Sequence, residues 1–387
     1  MPVTPPGDDR IGVQVGEGRT SIPVRNLWLL YLYASRLYEH LRDDERIDAE
    51  ANPAGLIELA ARILCDEAIR ALHRSLNVGY VGRHEVLTAV RDRIDHLGTA
   101  RGAYLQRGRV LCRFEQLTID TPRNRYIAAA LAHAGRRLGS SRIDSHIGSN
   151  CLTLAAQFER TGVHIERPDP GTPRREVFGH YDRHDRRTMA AAQLVLDALL
   201  PSHFTGQSVV NPLDYSHGSL RKLYEEAIRN FYRVNLTGWL VGARTLSWPS
   251  DGPLDSRFPA MRTDITLNRP DRTRLIIDTK FTSALSAKAE HHEPRLHSGH
   301  LYQLYAYLHT QAGRGDPYAD HADGLLLYPS TDQAPDIDVA ATMHEHTIRV
   351  ASLDLTAAPT AIRTRLLNLV IAQGASEYPS SDAVPPR

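Results

Sequence analysis

Two aspartates and a lysine sit where paired strands would gather them around one phosphodiester. In Arg274-Leu-Ile-Ile-Asp-Thr-Lys-Phe281 side chains alternate between faces, so Asp278 and Lys280 point the same way, about 6.6 Å apart. Ile276, Ile277 and Phe281 mark a buried strand, where an unpaired carboxylate costs several kcal/mol. A second acid, Asp264, interrupts the apolar pattern of Arg262-Thr-Asp-Ile-Thr-Leu267. A short turn at Asn268 to Thr273 could bring it beside Asp278. Two carboxylates at the ends of adjacent strands repel each other unless a hard divalent cation lies between them. Mg²⁺, held by one or two carboxylates and several waters, is the ordinary solution, with Mn²⁺ as its substitute. Such a cation polarises a phosphodiester and acidifies water. The compact ammonium of Lys280 can orient that water or stabilise developing negative charge.

Supporting groups come from the flanking helices. Glu225, in Leu223-Tyr-Glu-Glu-Ala-Ile228, precedes the strands and could complete the metal site; Glu225 and Glu226 equally suit a solvated helix face. Gln303 and Tyr307 are four apart in Leu301-Tyr-Gln-Leu-Tyr-Ala-Tyr-Leu308 and share a helix face, from which they could contact a nucleic-acid backbone or the site. Asp-x-Lys on a strand is also a common surface ion pair, and only the company of these residues raises it above that. His291, His292, Glu293, His297 and His300 form a His-rich loop, and His180 and His184 stand at helical spacing among charged residues. Neither group is assigned a ligand role. No GxSxG elbow and no GxGxxG fingerprint is present.

The elements that must position these residues follow from periodicity. Apolar positions recur at helical spacing from Val24 to Leu37 and from about Gly55 to Leu76. Between Gly79 and Phe114 short alternating runs broken by Gly98 and Gly108 suit hairpin strands. Helical periodicity returns from Pro122, a suitable first-turn residue, and again near Met189. After a polar stretch from Ser202 to Ser219 come a helix over Leu220 to Val234, strands near Arg244 to Trp248, Met261 to Leu267 and Arg274 to Phe281, a helix Gly299 to His309, and a strand Gly324 to Tyr328. That order is αβββαβ. The expected division is a loose arm over 1–21, a mixed helical and hairpin domain over 22–205, and an α/β domain over 206–387.

Composition sets the boundaries of function. The 387 residues are 42% hydrophobic and 24% charged with a net charge of +1, so a histone-like polycation is excluded and any nucleic-acid contact must be local. Only three of the 46 Lys and Arg residues are lysines, namely Lys222, Lys280 and Lys288. A lysine retained in such a chain marks a place where a guanidinium does not serve. None of the three follows a glycine, so there is no phosphate-cradling GxxxxGK[ST] loop and any nucleotide-driven motor must sit on a partner. Cys65, Cys112 and Cys151 are far apart and read as reduced structural thiols. The longest apolar run, Leu27 to Ala34, is short of the roughly 20 residues that cross a bilayer. A cytoplasmic protein without membrane contact is expected.

The order helix-Glu225, strand-Asp264, strand-Asp278-x-Lys280, helix with Gln303 and Tyr307 resembles the PD-(D/E)xK restriction-endonuclease-like core, with Ala260-Met-Arg-Thr-Asp264 where that superfamily often has Pro-Asp. More narrowly, the chain is similar to the McrC family, the nuclease subunits of McrBC modification-dependent restriction systems. Segments outside the nuclease core carry this: Ile22-Pro-Val-Arg-Asn26, Phe114-Glu-Gln-Leu117 and Thr121-Pro-Arg-Asn-Arg125. Pro259-Ala-Met-Arg-Thr-Asp-Ile-Thr266, Asp278-Thr-Lys-Phe281, Leu301-Tyr-Gln-Leu304 and Gly324-Leu-Leu-Leu-Tyr-Pro329 add to it. The resemblance implies an α+β N-terminal docking domain before the nuclease core and a McrB-like AAA+ GTPase hexamer as partner. It further implies cleavage of double-stranded DNA carrying modified cytosine. It makes Asp264 and Asp278 metal ligands, Lys280 the catalytic lysine and Glu225 an auxiliary acid. The seven arginines between Gly79 and Phe114 (Arg83, Arg91, Arg93, Arg101, Arg107, Arg109 and Arg113) could then face the partner's ring, or simply solvate hairpins. The rival class is a non-catalytic adaptor of an AAA+ ring that keeps the nuclease fold as scaffold.

Overall fold

The computed structural model describes residues 10–15, 18–139, 145–179, 182–199, 217–250, 252–286, 294–330 and 336–371. The chain divides into a larger unit, Met1–Leu56 with Asp214–Arg387, and an inserted unit, Ile57–Leu213. In the larger unit β1 (Arg10–Val15) and β2 (Gly18–Pro23) pair antiparallel, Arg10 opposite Pro23. The 1–21 segment is therefore not simply a loose arm. Its Ile11-x-Val13-x-Val15 alternation is a strand signal that the Pro and Gly content around it obscures. Helices α1 (Val24–Ala34) and α2 (Asp43–Ala51) follow.

The inserted unit opens with α3 (Leu56–Arg74). Strands β3 (Gly79–Leu87), β4 (Arg93–Ile94) and β5 (Val110–Thr118) make an antiparallel sheet in the order β3-β5-β4, with α4 (His96–Arg101) between β4 and β5. The seven arginines of this segment are all exposed. Arg113 pairs with Asp95 at 2.8 Å, and the Arg91 guanidinium lies 4.2 Å from the Phe114 ring centroid. Helices α5 (Pro122–Leu138), α6 (Ser145–Thr161), α7 (Thr172–Arg175) and α8 (Arg183–Leu199) complete the unit. Helices α5 and α6 approach so closely that a Cβ on Gly148 would stand 2.3 Å from the Gly139 amide nitrogen. Only glycine fits that crossing.

The Thr121-Pro-Arg-Asn-Arg125 segment is scaffolding. Thr121 Oγ1 caps α5 by accepting from the Asn124 amide at 3.3 Å, with Pro122 in the first turn. Asn124 Nδ2 donates to Asn77 O and Ile119 O at 2.8 and 2.7 Å. Arg125 clasps Asp120, and buried Arg123 pairs with Glu176 and Asp185 at 2.8 and 2.6 Å. The polar side chains of the turn are thus spent on the fold.

The larger unit resumes with α9 (His217–Asn235), β6 (Leu240–Gly242), β7 (Thr245–Leu246), β8 (Met261–Arg262), β9 (Ile265–Asn268) and β10 (Arg274–Thr279). It continues with β11 (Leu285–Ser286), β12 (Arg295–Leu296), α10 (Ser298–His309), β13 (Asp323–Ser330), β14 (Asp338–Met343), β15 (His346–Asp354) and α11 (Pro359–Ile371). A six-stranded sheet in the order β14-β15-β13-β10-β9-β6 is its centre. β10 runs antiparallel to β9 and, after crossing through α10, parallel to β13. This is the expected mixed α/β arrangement. Every residue of β10 is buried; Ile276 faces a cluster with Leu304, Tyr307 and Leu308 of α10 and Leu326 and Tyr328 of β13.

Two corrections concern what supports this sheet. The single strand expected over Met261 to Leu267 is broken: β8 pairs with β7, and β9 joins the main sheet. At the break the Thr263 amide donates to Arg244 O and the Arg244 amide to Thr263 Oγ1, each at 2.9 Å, which frees Asp264 from either ladder. Residues 22–56, expected within a domain running to 205, pack instead in the larger unit. The buried side chains of α1 meet α9, where Tyr33 and Phe231 rings stand 4.9 Å apart and Asn230 Nδ2 donates to Tyr33 O at 2.6 Å. Asn26 of the Ile22-Pro-Val-Arg-Asn26 segment donates from Nδ2 to Leu355 O and Ala357 O at 2.7 and 2.9 Å. Arg363 of α11 reaches buried Glu50 of α2 at 2.8 Å. The expected boundary near 205 lies outside the described residues, as do His180, His291, His292 and Glu293.

Candidate active site

The antiparallel register ends with Ile277 opposite Ile265, and Asp278 and Asp264 are the next residues of the two segments beyond that pair. Beyond the last ladder pair the Thr279 amide and Oγ1 both donate to Asp264 Oδ2, at 2.8 and 2.9 Å. This clasp fixes one carboxylate oxygen at the carboxyl end of β10 and leaves the other outside it. Asp278 is 1% exposed, and its Oδ2 lies 2.8 Å from Lys280 Nζ. Burial pushes the Asp278 carboxyl up to about 6; Lys280 opposes the rise and the Asp264 charge adds to it.

Lys280 is held from its far side. Its Nζ donates to Gln303 Oε1 at 2.8 Å, Gln303 Nε2 donates to Tyr307 OH at 2.6 Å, and Tyr307 OH donates to Arg262 O at 2.9 Å. Gln303 and Tyr307 are therefore one turn of α10 used as a relay, which leaves the ammonium with little rotamer freedom. Burial, with the Asp278 and Asp264 charges behind it, holds the Tyr307 phenol above its ordinary range. His300, one turn earlier on α10, shares a 2.8 Å hydrogen bond between its Nδ1 and Tyr328 OH. Burial first, and then the Lys280 charge, hold that imidazole down at about 4, so it is neutral at pH 7.

Glu225 lies on α9, ion-paired with Arg229, whose Nε donates to the Asp264 carbonyl at 2.9 Å. Burial and the Asp264 charge raise its carboxyl. The fold brings Asp264, Asp278, Lys280, Gln303 and Tyr307 together directly and joins Glu225 to them through Arg229. Thr279, Arg229, Arg262, His300 and Tyr328 complete the surroundings without having been singled out as site residues. Thr279 and Tyr328 follow strand alternation like any core residue, and only the i,i+4 spacing of Glu225 and Arg229 gave a signal.

Among the described residues no three His, Cys, Asp or Glu side chains converge as a ready metal cluster. The donor set nevertheless fits a hard cation of the two-carboxylate kind. Asp264 lies close enough to Asp278 for its charge to raise the Asp278 carboxyl, and the buried Asp278 Oδ2 has the Lys280 ammonium 2.8 Å away. No described helix is long and apolar enough to cross a membrane.

Fold and cluster together define a mixed α/β chain with an acid-acid-lysine centre at the carboxyl end of a central strand. The chain is similar to a McrBC restriction enzyme. It is 24% identical over 321 residues, 81% of its length and 87% of the relative's, to the type IV methyl-directed restriction enzyme EcoKMcrBC of Escherichia coli K12. Two solved structures from Thermococcus gammatolerans share 17% identity with it. A half-complex of the tetradecameric assembly of McrB AAA+ hexamers with bound McrC covers 90% of this chain and 77% of the matched one at a TM-score of 0.44. The McrBC complex covers 56% and 62% at 0.34. No family model matches the chain.

Proposed function

We propose that the chain is the Mg²⁺-dependent, PD-(D/E)xK-type DNA endonuclease subunit of a methylcytosine-dependent McrBC-type restriction system, working in the cytoplasm with a McrB-like AAA+ GTPase. The observation that carries the reading is the proximity of Asp264 and Asp278, through the Thr279 clasp on Asp264, with Lys280 2.8 Å from Asp278. Asp264 and Asp278 would hold the cation, with Glu225 as an outlying acid. A bound Mg²⁺ would supply polarisation of the phosphate and acidification of water. Lys280, its hydrogens aimed by Gln303, orients the attacking water and balances the charge that develops on the phosphate. Thr279 and Arg229 fix Asp264 from its carboxylate and carbonyl sides. Similarity to the E. coli restriction enzyme supports the substrate and partner; the exposed arginines around β3 to β5 suit a polyanion or an acidic ring surface.

The test uses the full chain with its partner, GTP, Mg²⁺ and methylated or unmethylated duplex DNA. Asp278→Ala is expected to abolish cleavage of methylated DNA while partner GTP hydrolysis continues. Unchanged cleavage would exclude this site and leave the adaptor reading.

A further inference from the structure

We infer that Cys65 and Cys151 form a modification site, an oxidisable dithiol that a peroxide closes into a disulfide between α3 and α6. The two residues are 86 positions apart in sequence, yet their Sγ atoms lie 3.2 Å from each other. Both thiols are free and buried, Cys65 at 6% exposure and Cys151 at 0%. The third cysteine, Cys112 on β5, has a different neighbour: its Sγ accepts from the Arg91 amide at 3.5 Å. A disulfide needs an S–S separation of about 2.05 Å, so closure asks for roughly 1 Å of approach between the two sulfurs. Cys151 stands three residues beyond Gly148, where α6 is pressed against α5.

The chemistry is divided between the two sulfurs. Their shared hydrogen bond favours the thiolate on Cys151 and, with burial, pushes the Cys65 thiol up. The Cys151 thiolate attacks one peroxide oxygen, the O–O bond breaks, a sulfenic acid forms, and the expelled hydroxide takes up the proton that Cys151 released on ionising to leave as water. Cys65 then attacks that sulfur, the S–O bond breaks, and its proton departs with the hydroxide as a second water. Two thiols are oxidised and one peroxide is reduced to two waters. With so little of either sulfur exposed, the rate follows local opening of the contact between α3 and α6. The product ties together two helices whose link closes a long loop, which restrains the unfolded chain.

The full chain is treated with hydrogen peroxide under native conditions, quenched with catalase, denatured and alkylated with N-ethylmaleimide. Expected is a chain two hydrogens lighter with Cys112 alone alkylated. A Cys65–Cys151 cross-linked peptide should appear, and the urea midpoint should shift upward, with dithiothreitol reversing both. A Cys112→Ser chain should give the same link. Three alkylated cysteines after oxidation, a sulfonic acid at Cys151 without a cross-link, or a link running through Cys112 or between chains would overturn the inference.

Discussion

Replacing Asp278 by asparagine should change how stability depends on pH in a way no surface carboxylate could imitate. The Asp278 carboxyl rises from its ordinary 3.8 to about 6 in the folded chain, chiefly through burial. A folded-state pKa raised in this way favours the protonated form, so its contribution is fully present below about pH 4 and is lost as pH climbs through about 6. At roughly 1.4 kcal/mol per pKa unit, the ionised carboxylate costs the fold on the order of 3 kcal/mol above that window. The neutral amide of the Asp278→Asn chain would carry no such cost. It would leave Lys280 with Gln303 as its remaining partner, a loss read directly from the difference between the two chains near pH 4, where the folded Asp278 is also neutral. The measurement is urea unfolding of both chains in chelator at several pH values. The parent should lose about 3 kcal/mol relative to Asp278→Asn between pH 4 and 7, and Mg²⁺ should restore part of it only in the parent and only above about pH 6. Parallel stability curves for the two chains would show that Asp278 does not titrate as argued and would remove the electrostatic case for a cation there.

Lys280→Met keeps the stem of the side chain and removes its charge; cleavage should fall by about 10²–10³-fold, as when a preorganised donor is lost from a reacting centre, and a variant cutting at parental rates would strip Lys280 of its role. Arg363→Ala leaves Glu50 buried beside Tyr38 with its cation gone, which should cost about 2–4 kcal/mol in urea unfolding. Adding Glu50→Gln should recover much of this, whereas a loss under ~1 kcal/mol would reduce the pair to a surface contact. Gly148→Ala puts a Cβ 2.3 Å from the backbone nitrogen of Gly139 at the end of α5 and should destabilise by about 1–3 kcal/mol; thermal unfolding at the parental midpoint would contradict the close helix crossing.

What could be read from the sequence was local or periodic. Alternation alone put Asp278 and Lys280 on one face, and the short turn at Asn268 to Thr273 fixed which residue of the preceding strand would stand opposite. Helical spacing alone paired Gln303 with Tyr307. The order of elements followed in the main, but the strand expected near Arg244 to Trp248 pairs with β8 outside the main sheet, whose edge is taken by β6 instead. Partners distant in sequence were another matter. The stripe on α1 declares that one face is buried, but nothing in Leu27, Leu30 or Tyr33 says that α9, some 200 residues later, is what covers it. Asp264 reads as the middle of a strand, since the hydrogen bonds that break the ladder at Thr263 come from Arg244, across a loop. Helix α6 hides behind Ser, Gly and Asn residues that lower its intrinsic propensity, although Gly148 is there because α5 allows nothing larger. The same limit applies to the two buried thiols, whose separation in sequence carries no trace of the contact between their helices. Local chemistry names the groups able to act, and long-range packing decides which of them meet. The acid-acid-lysine set was legible because adjacent strands make it a short-range problem.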